Sequence, residues 1–381
     1  MDVFRLRNSV IQDYADYVRS FVNIRDNRLD QFVQQNFTDE SLWPKPLIQM
    51  NPSFDFGGSV DSLIQSGLLN KECKKIFAMK SNNNLIGRPL NLHKHQVEAI
   101  KAASRNENYV LTTGTGSGKS LSYIIPIVNH CIQNPQQKGI KAIVVYPMNA
   151  LCNSQYGELE KFLSLGYGKN QEPVKFERYT GQEDQTHRDE IASNPPDILL
   201  TNYVMLELLL TRPFEKRLIN AAQGLKFLVL DELHTYRGRQ GADVAFLTRR
   251  VKEACQARDL ICVGTSATMA SGGTFDEQRK TIAQVASRLF GVEVRPTNVI
   301  GESLTRATNE IPNQSSEFLK KIQGNLAPSV IPNQFKEFIE AEMASWLEST
   351  FGLKNDETSG RLLRAKPIAI IGPHWGRQEI I

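Results

Sequence analysis

Two stretches of this chain bring together residue types that do chemistry. TTGTGSGKS, residues 112–120, sets three glycines ahead of Lys119 and Ser120. Gly114, Gly116 and Gly118 let the backbone turn its N–H groups inward around an anion. A helix opening near Lys119 would aim its positive end at the same place. Lys119 is then the group for the outer phosphates and Ser120 a Mg²⁺ ligand, with Thr113, Thr115 and Ser117 completing the loop. The strict pattern asks for glycine at position 113, where this chain has threonine. Far along the chain, Asp231, Glu232 and His234 crowd the end of the apolar run KFLVL. Mg²⁺ takes carboxylates and water beside substrate phosphates, which suits Asp231. Glu232 suits the orientation and deprotonation of an attacking water. His234 suits a link to a neighbouring motif better than a third metal ligand. The bland alternatives are a glycine-rich turn that binds nothing and a solvated acidic turn. The two stretches together point to ATP with Mg²⁺.

Such residues need a rigid frame. Short apolar runs recur at NYVLTT, KAIVVYP, DILLTN, KFLVLDE and LICVGTS. Between them, SLSYIIPIVNHCIQ and GADVAFLTRRVKEAC carry apolar residues at helical spacing. Fully apolar short strands alternating with helices predict a doubly wound α/β domain, a parallel sheet covered on both faces. Ligands bind such sheets beyond the carboxyl ends of the strands, where both chemical stretches fall. The expected division is a helical and irregular accessory segment over 1–88, the α/β domain over 89–296 and a mainly helical segment over 297–381. LWPKPLIQMNPSFDFGG interrupts the first segment with prolines and glycines, and SSEFLKKIQGN and QFKEFIEAEMASWLEST are the helices expected in the last.

Bulk properties exclude several classes. With 381 residues and 40% hydrophobic, the chain can fill an ordinary core. A net charge of +4 permits a nucleic-acid partner without requiring one. No apolar run approaches the roughly 18 residues of a membrane span. The first residues, MDVFRLRNSVIQDYADYVRSF, have the spacing of an amphipathic helix and not of a signal peptide. The 5 cysteines form no C-x-x-C pair, so neither zinc nor a disulfide framework is expected. A cytoplasmic setting is the expectation.

TGTGSGKS, DELH and TSAT (265–268) resemble, in order and spacing, the motifs of superfamily 2 DEAD/DEAH-like helicases, built on RecA-like lobes. The block DELHTYRGRQGADVAFLTRR is similar to one in MrfA-type DNA repair helicases and in large bacterial helicases of anti-phage defence islands. The resemblance implies an ATP-dependent helicase or translocase acting on single-stranded or partly duplex DNA. It makes Gln96 the adenine reader and Ser266, Ala267 and Thr268, with His234, the coupling residues. YPMNALCNSQ implies strand contacts at Pro147, Asn149 and Gln155, although relatives often carry a basic residue at the Asn149 position. RYTGQ and TNYVML add Gly181, Thr201 and Asn202. Tyr236 and Arg237 form a small aromatic and basic patch, suited either to a base and phosphate or to capping the next helix. His93 and His95 are expected at the surface or in packing, and two residues apart they cannot share a helix face, so a metal pair is not expected.

The arginine motif of a second RecA-like lobe does not follow residue 300, and the cysteine cluster of many MrfA-type relatives is missing too. The chain therefore resembles the N-terminal segment of a longer helicase, its second lobe supplied in cis or in trans. Alone it is expected to bind ATP weakly and to hydrolyse it poorly. Two alternatives stand beside the DNA helicase: an RNA helicase of DEAD-box type, and a non-catalytic nucleotide-binding regulatory fragment.

Overall fold

The computed structural model describes residues 2–21, 24–36, 46–114, 116–167, 171–236, 238–267, 273–309, 318, 320, 334–356 and 360–369. They form two compact units, residues 54–303 and residues 1–53 with 304–381.

The larger unit is built on seven strands: β1 Tyr109–Thr112, β2 Ala142–Tyr146, β3 Phe176–Tyr179, β4 Ile198–Asn202, β5 Phe227–Leu230, β6 Ile261–Ser266 and β7 Val299–Gly301. Their order across the sheet is β7-β1-β6-β5-β2-β4-β3, and every pairing is parallel. All residues of β1, β2, β5 and β6 are buried, which is why these strands read as unbroken apolar runs. Seven helices matter to the site: α1 Lys94–Ser104, α2 Leu121–Gln133, α3 Asn149–Leu163, α4 Gln185–Ser193, α5 Tyr203–Thr211, α6 Gly238–Ala254 and α7 Phe275–Phe290. Leu111, Val144, Val229 and Val263 pack on one face with Ile100, Ile124 and Leu159 of α1, α2 and α3. Val110, Val145, Leu228 and Cys262, on the other, meet Leu206, Leu247 and Phe290 of α5, α6 and α7. Alternate strand residues thus feed two cores, the condition for a doubly wound sheet.

Register decides what the strand ends bring together. Thr112 lies level with Ser266 on one side and Gly301 on the other, and Leu230 lies level with Val145 and Gly264. The loops after β1, β5, β6 and β7 therefore leave the sheet side by side.

Two strands escape the apolar pattern. β3 reads FERY, an edge strand with two half-buried charged residues at its centre, and β7 has three residues. Upstream, where an irregular stretch is expected, residues 78–81 and 84–89 form an antiparallel hairpin and Phe56–Ser59 pairs with Asn91–His93.

The smaller unit holds helices over Val3–Ser20 and Asn27–Asn36. Further on, Phe335–Glu340 and Glu342–Leu347 are two helices where one is expected, parted at Ala341, whose ψ of 136° is extended. Leu353–Asn355 pairs with Leu362–Arg364, and Leu47–Ile48 with Ile368–Ala369. SSEFLKKIQGN lies outside the described residues apart from 318 and 320. Among the described residues no helix is long and apolar enough to cross a membrane.

Candidate functional site

β1 delivers the chain into the glycine loop and α2 takes it away, with Ser120 at the N-cap and Leu121 opening the helix. Gly116 and Gly118 have φ of 76° and 69°, the left-handed region that favours glycine. At Gly118 a Cβ would also fall 2.7 Å from Gln96 Nε2. Thr113, where glycine is the rule, is buried, and its hydroxyl lies 2.7 Å from the Ser117 hydroxyl. The methyl and hydroxyl of a threonine thus fit here because the loop closes on them. Three groups hold the loop from outside. Gln96 Nε2 donates to the Gly118 carbonyl at 2.9 Å, and His95 Nε2 lies 2.9 Å from the Ser117 carbonyl. The Gly114 N–H donates to Glu302 Oε2 at 3.1 Å. Thr115 lies outside the described residues.

Gln96 sits 2% exposed on the first turn of α1, its Oε1 accepting from the His93 N–H at 2.8 Å. Both ends of its amide are engaged here. Of the two places expected for His95, surface or packing, the fold gives it the second: it is fully buried and rests on the phosphate loop. Burial pushes its pKa down to about 4, against the Ser117 contact. The His93 and His95 rings stack at 5.6 Å because His93 precedes α1 as its N-cap and so escapes the helical rotation.

The carboxylates arrive on β5. Lys119 Nζ lies 3.3 Å from Glu232 Oε1, with side chains 13% and 22% exposed. Glu232 holds φ 54° and ψ 56°, a conformation that costs a β-carbon-bearing residue about 1 kcal/mol. Strain of this kind persists where the surroundings enforce it. Here the Glu232 N–H donates to Thr265 Oγ1 at 3.0 Å, and the same hydroxyl donates to Asp231 Oδ1. Burial raises the Asp231 pKa and the Glu232 charge adds to this, while the Thr265 hydrogen bond and Lys119 oppose it. Tyr123 and Tyr146 bring their buried hydroxyls to 3.4 Å of one another. His234 Nδ1 stands 3.2 Å from Glu232 Oε2 and 3.4 Å from the Ser266 hydroxyl. The fold therefore gathers Lys119, Ser120, Asp231, Glu232, His234 and Ser266 on one edge of the sheet. Ala267 follows Ser266 directly, and Thr268 lies outside the described residues.

The expected strand-contact residues group farther along that edge. Asn202 Nδ2 donates to Asn149 Oδ1 at 2.6 Å and to the Thr180 carbonyl at 3.0 Å, while its own Oδ1 caps α5 through the Met205 N–H. Asn149 opens α3, with Pro147 before it and Gln155 farther along the helix, both half-buried. Gly181 is exposed with φ 89°, in a turn that Glu183 organises. The Glu183 carboxylate accepts from the Thr180 N–H, the Thr180 hydroxyl and the Gly181 N–H at 2.8–2.9 Å. Thr201 is buried, its hydroxyl donating to the Tyr179 carbonyl at 2.7 Å, so that hydroxyl is turned inward. Tyr236 is buried as well, its ring within the core of α5, α6 and α7, and Arg237 lies outside the described residues.

Thr265, Glu183 and Glu302 touch the site without being singled out in the sequence, and His95 touches it though the sequence marks it only for the surface or for packing. Thr265 lay within the TSAT motif and was legible as its first hydroxyl. The other three are recognisable only through their partners in space.

Residues 93–274 match the DEAD/DEAH box helicase family. The ATP-dependent helicase YprA of Bacillus subtilis is 31% identical over 49% of this chain and 24% of its own length. The Druantia protein DruE of Escherichia coli is 25% identical over 81% of this chain and 23% of its own length. The chain thus spans about a quarter of the length of these curated relatives. The solved DUF1998 helicase MrfA, bound to DNA, superposes with a TM-score of 0.51 at 22% identity, over 74% of this chain and 35% of that one. At that identity the likeness establishes a shared RecA-like fold. The family match, the motif order and the all-parallel seven-stranded sheet agree on a DEAD/DEAH-type helicase domain over residues 93–274.

Proposed function

We propose that the chain carries the first motor lobe of an ATP-dependent DNA helicase or translocase of superfamily 2. The observation that supports this most is the meeting of Lys119 and Glu232 at 3.3 Å, where the glycine loop opens and Asp231 lies alongside. In this reading an entering triphosphate takes Lys119 from Glu232 and lies along the loop N–H groups and the start of α2. Glu232, relieved of the lysine, orients and deprotonates the attacking water. Ser120 and Asp231 are the residues to hold Mg²⁺. Two oxygen donors fit an ion that keeps several waters and completes its shell with substrate phosphates. Among the described residues no group of three or more His, Cys, Asp or Glu forms an all-protein metal cage. Bound there, the ion neutralises phosphate charge.

His234, between Glu232 and Ser266, is our candidate for passing the state of the nucleotide toward the TSAT segment. Asn149, whose Oδ1 accepts from Asn202, is the residue whose amide N–H groups suit a phosphodiester strand, with Asn202 and Glu183 shaping the turn at Gly181. DNA is the strand we assign, on the resemblance of the 231–250 block to MrfA-type helicases. A second RecA-like lobe, in cis or in trans, would supply the arginines that complete turnover, worth about 10³ to 10⁵ in rate.

The test is ATP binding and turnover by the 381-residue chain with no nucleic acid, with single-stranded DNA and with single-stranded RNA, beside Lys119→Ala. Nucleotide binding that weakens many-fold in Lys119→Ala, with weak turnover raised by DNA more than by RNA, is the expected result. Unchanged nucleotide affinity in Lys119→Ala would overturn the phosphate assignment, and stronger stimulation by RNA would overturn the choice of strand.

A further inference from the structure

We infer that Glu302 is a positioning residue of the phosphate loop, and that its charge makes the loop sensitive to how many phosphates it receives. The inference rests on the loop being the nucleotide site, as proposed above.

Glu302 stands directly after β7, whose pairing places Gly301 level with Thr112, where the loop leaves the sheet. From there its carboxylate reaches the loop and accepts the Gly114 N–H at 3.1 Å. The other two outside anchors are of a different kind. His95 and Gln96 hold carbonyls of the loop, Ser117 and Gly118, and bring no negative charge. Glu302 holds an N–H, the type of group that a phosphate loop offers to anions, and it does so with a carboxylate. The half-buried Glu302 side chain is only partly screened by water.

An anchor of this kind has two separable effects. As an acceptor it fixes the first turn of the loop. As a charge it opposes every negative group that enters, and the opposition grows with the number of phosphates. The residue therefore holds the loop in shape before nucleotide arrives and bears most strongly on the species with most charge. Glu302→Gln keeps the length and one carbonyl acceptor while removing the charge. Glu302→Ala removes both.

The experiment is titration of the full chain with ATP, ADP and AMP, for wild type, Glu302→Gln, Glu302→Ala and Lys119→Ala, with thermal unfolding of each in the absence of nucleotide. Glu302→Gln should tighten ATP about five-fold, ADP less and AMP hardly at all, with unfolding unchanged. Glu302→Ala should gain less for ATP than Glu302→Gln, because Gly114 loses its acceptor. An equal shift for all three nucleotides, or no shift, would overturn the inference, as would an effect confined to unfolding. Lys119→Ala keeps the two failures apart. If it leaves ATP affinity unchanged, the nucleotide site itself is misplaced. If it weakens ATP while Glu302→Gln leaves the ratio of ATP to AMP affinity unaltered, Glu302 alone is misassigned.

Discussion

The Lys119–Glu232 pair gives a prediction that can be worked through in numbers. At 3.3 Å, and at the effective dielectric of about 20 suited to protein sites, two unit charges attract by about 5 kcal/mol. Desolvation of side chains only 13% and 22% exposed offsets most of this. We take about 1–2 kcal/mol to remain, holding the lysine on the carboxylate. A nucleotide that recruits Lys119 must overcome that amount. Glu232→Gln should therefore tighten ATP by about 5- to 30-fold while stopping hydrolysis in whatever assembly is active. Removing a carboxylate also relieves its direct repulsion of the phosphates, so the single variant does not isolate the pair. A double-mutant cycle does. Isothermal titration of wild type, Glu232→Gln, Lys119→Ala and the double variant, to millimolar ATP, gives the coupling. If ATP must take the lysine from Glu232, most of the gain from Glu232→Gln vanishes in the Lys119→Ala background. An equal gain in both backgrounds would refute the reasoning, because repulsion alone would then account for it.

Other consequences are simpler. A Cβ at Gly264, within β6, would fall 2.3 Å from Leu233 Cδ1 and 3.2 Å from Phe290 Cζ, so Gly264→Ala should destabilise by about 1–3 kcal/mol and disturb the turn that carries Glu232. A urea midpoint equal to wild type would show that the core yields at no cost. His95 is buried with its pKa lowered from 6.5 to about 4. Its unfolded form binds a proton first as pH falls, so the stability it lends is whole above pH 6.5 and drains between 6.5 and 4, by about 3 kcal/mol. His95→Gln should flatten that part of the stability–pH curve, and an unchanged slope would place the acid sensitivity elsewhere. Glu183, its carboxylate engaged by three donors from Thr180 and Gly181, should cost about 2–4 kcal/mol when changed to alanine. Chemical denaturation measures this, and a loss below about 0.5 kcal/mol would mean that the turn holds its shape unaided.

Much of this protein is written locally in its chain. The strands β1, β2, β4, β5 and β6 are visible as apolar runs because each is buried on both faces, so its side chains need not alternate. The glycine loop is visible because Gly116 and Gly118 adopt angles that other residues resist, and Lys119 and Ser120 stand beside them in sequence. The acidic pair is visible because a strand must stop before it. The edge strands β3 and β7 are hidden, since an edge carries no obligation to be apolar throughout, and three residues make no pattern.

What tertiary structure alone decides is which of these groups meet, and which polar residues work inward. Nothing in the composition of TNYVML shows that the Thr201 hydroxyl is bound to the Tyr179 carbonyl, or in TYRGR that Tyr236 is buried. His95 and Glu302 lie far from the glycine loop or across a strand crossover from it, and reach it only because α1 and β7 flank β1. The physical reason is one of range. Propensity, glycine angles and apolar pattern act over a few neighbouring residues, whereas the partner of a buried polar group is set by the order and register of the strands. A strand inserted or moved by one place would leave every motif readable and the site unmade.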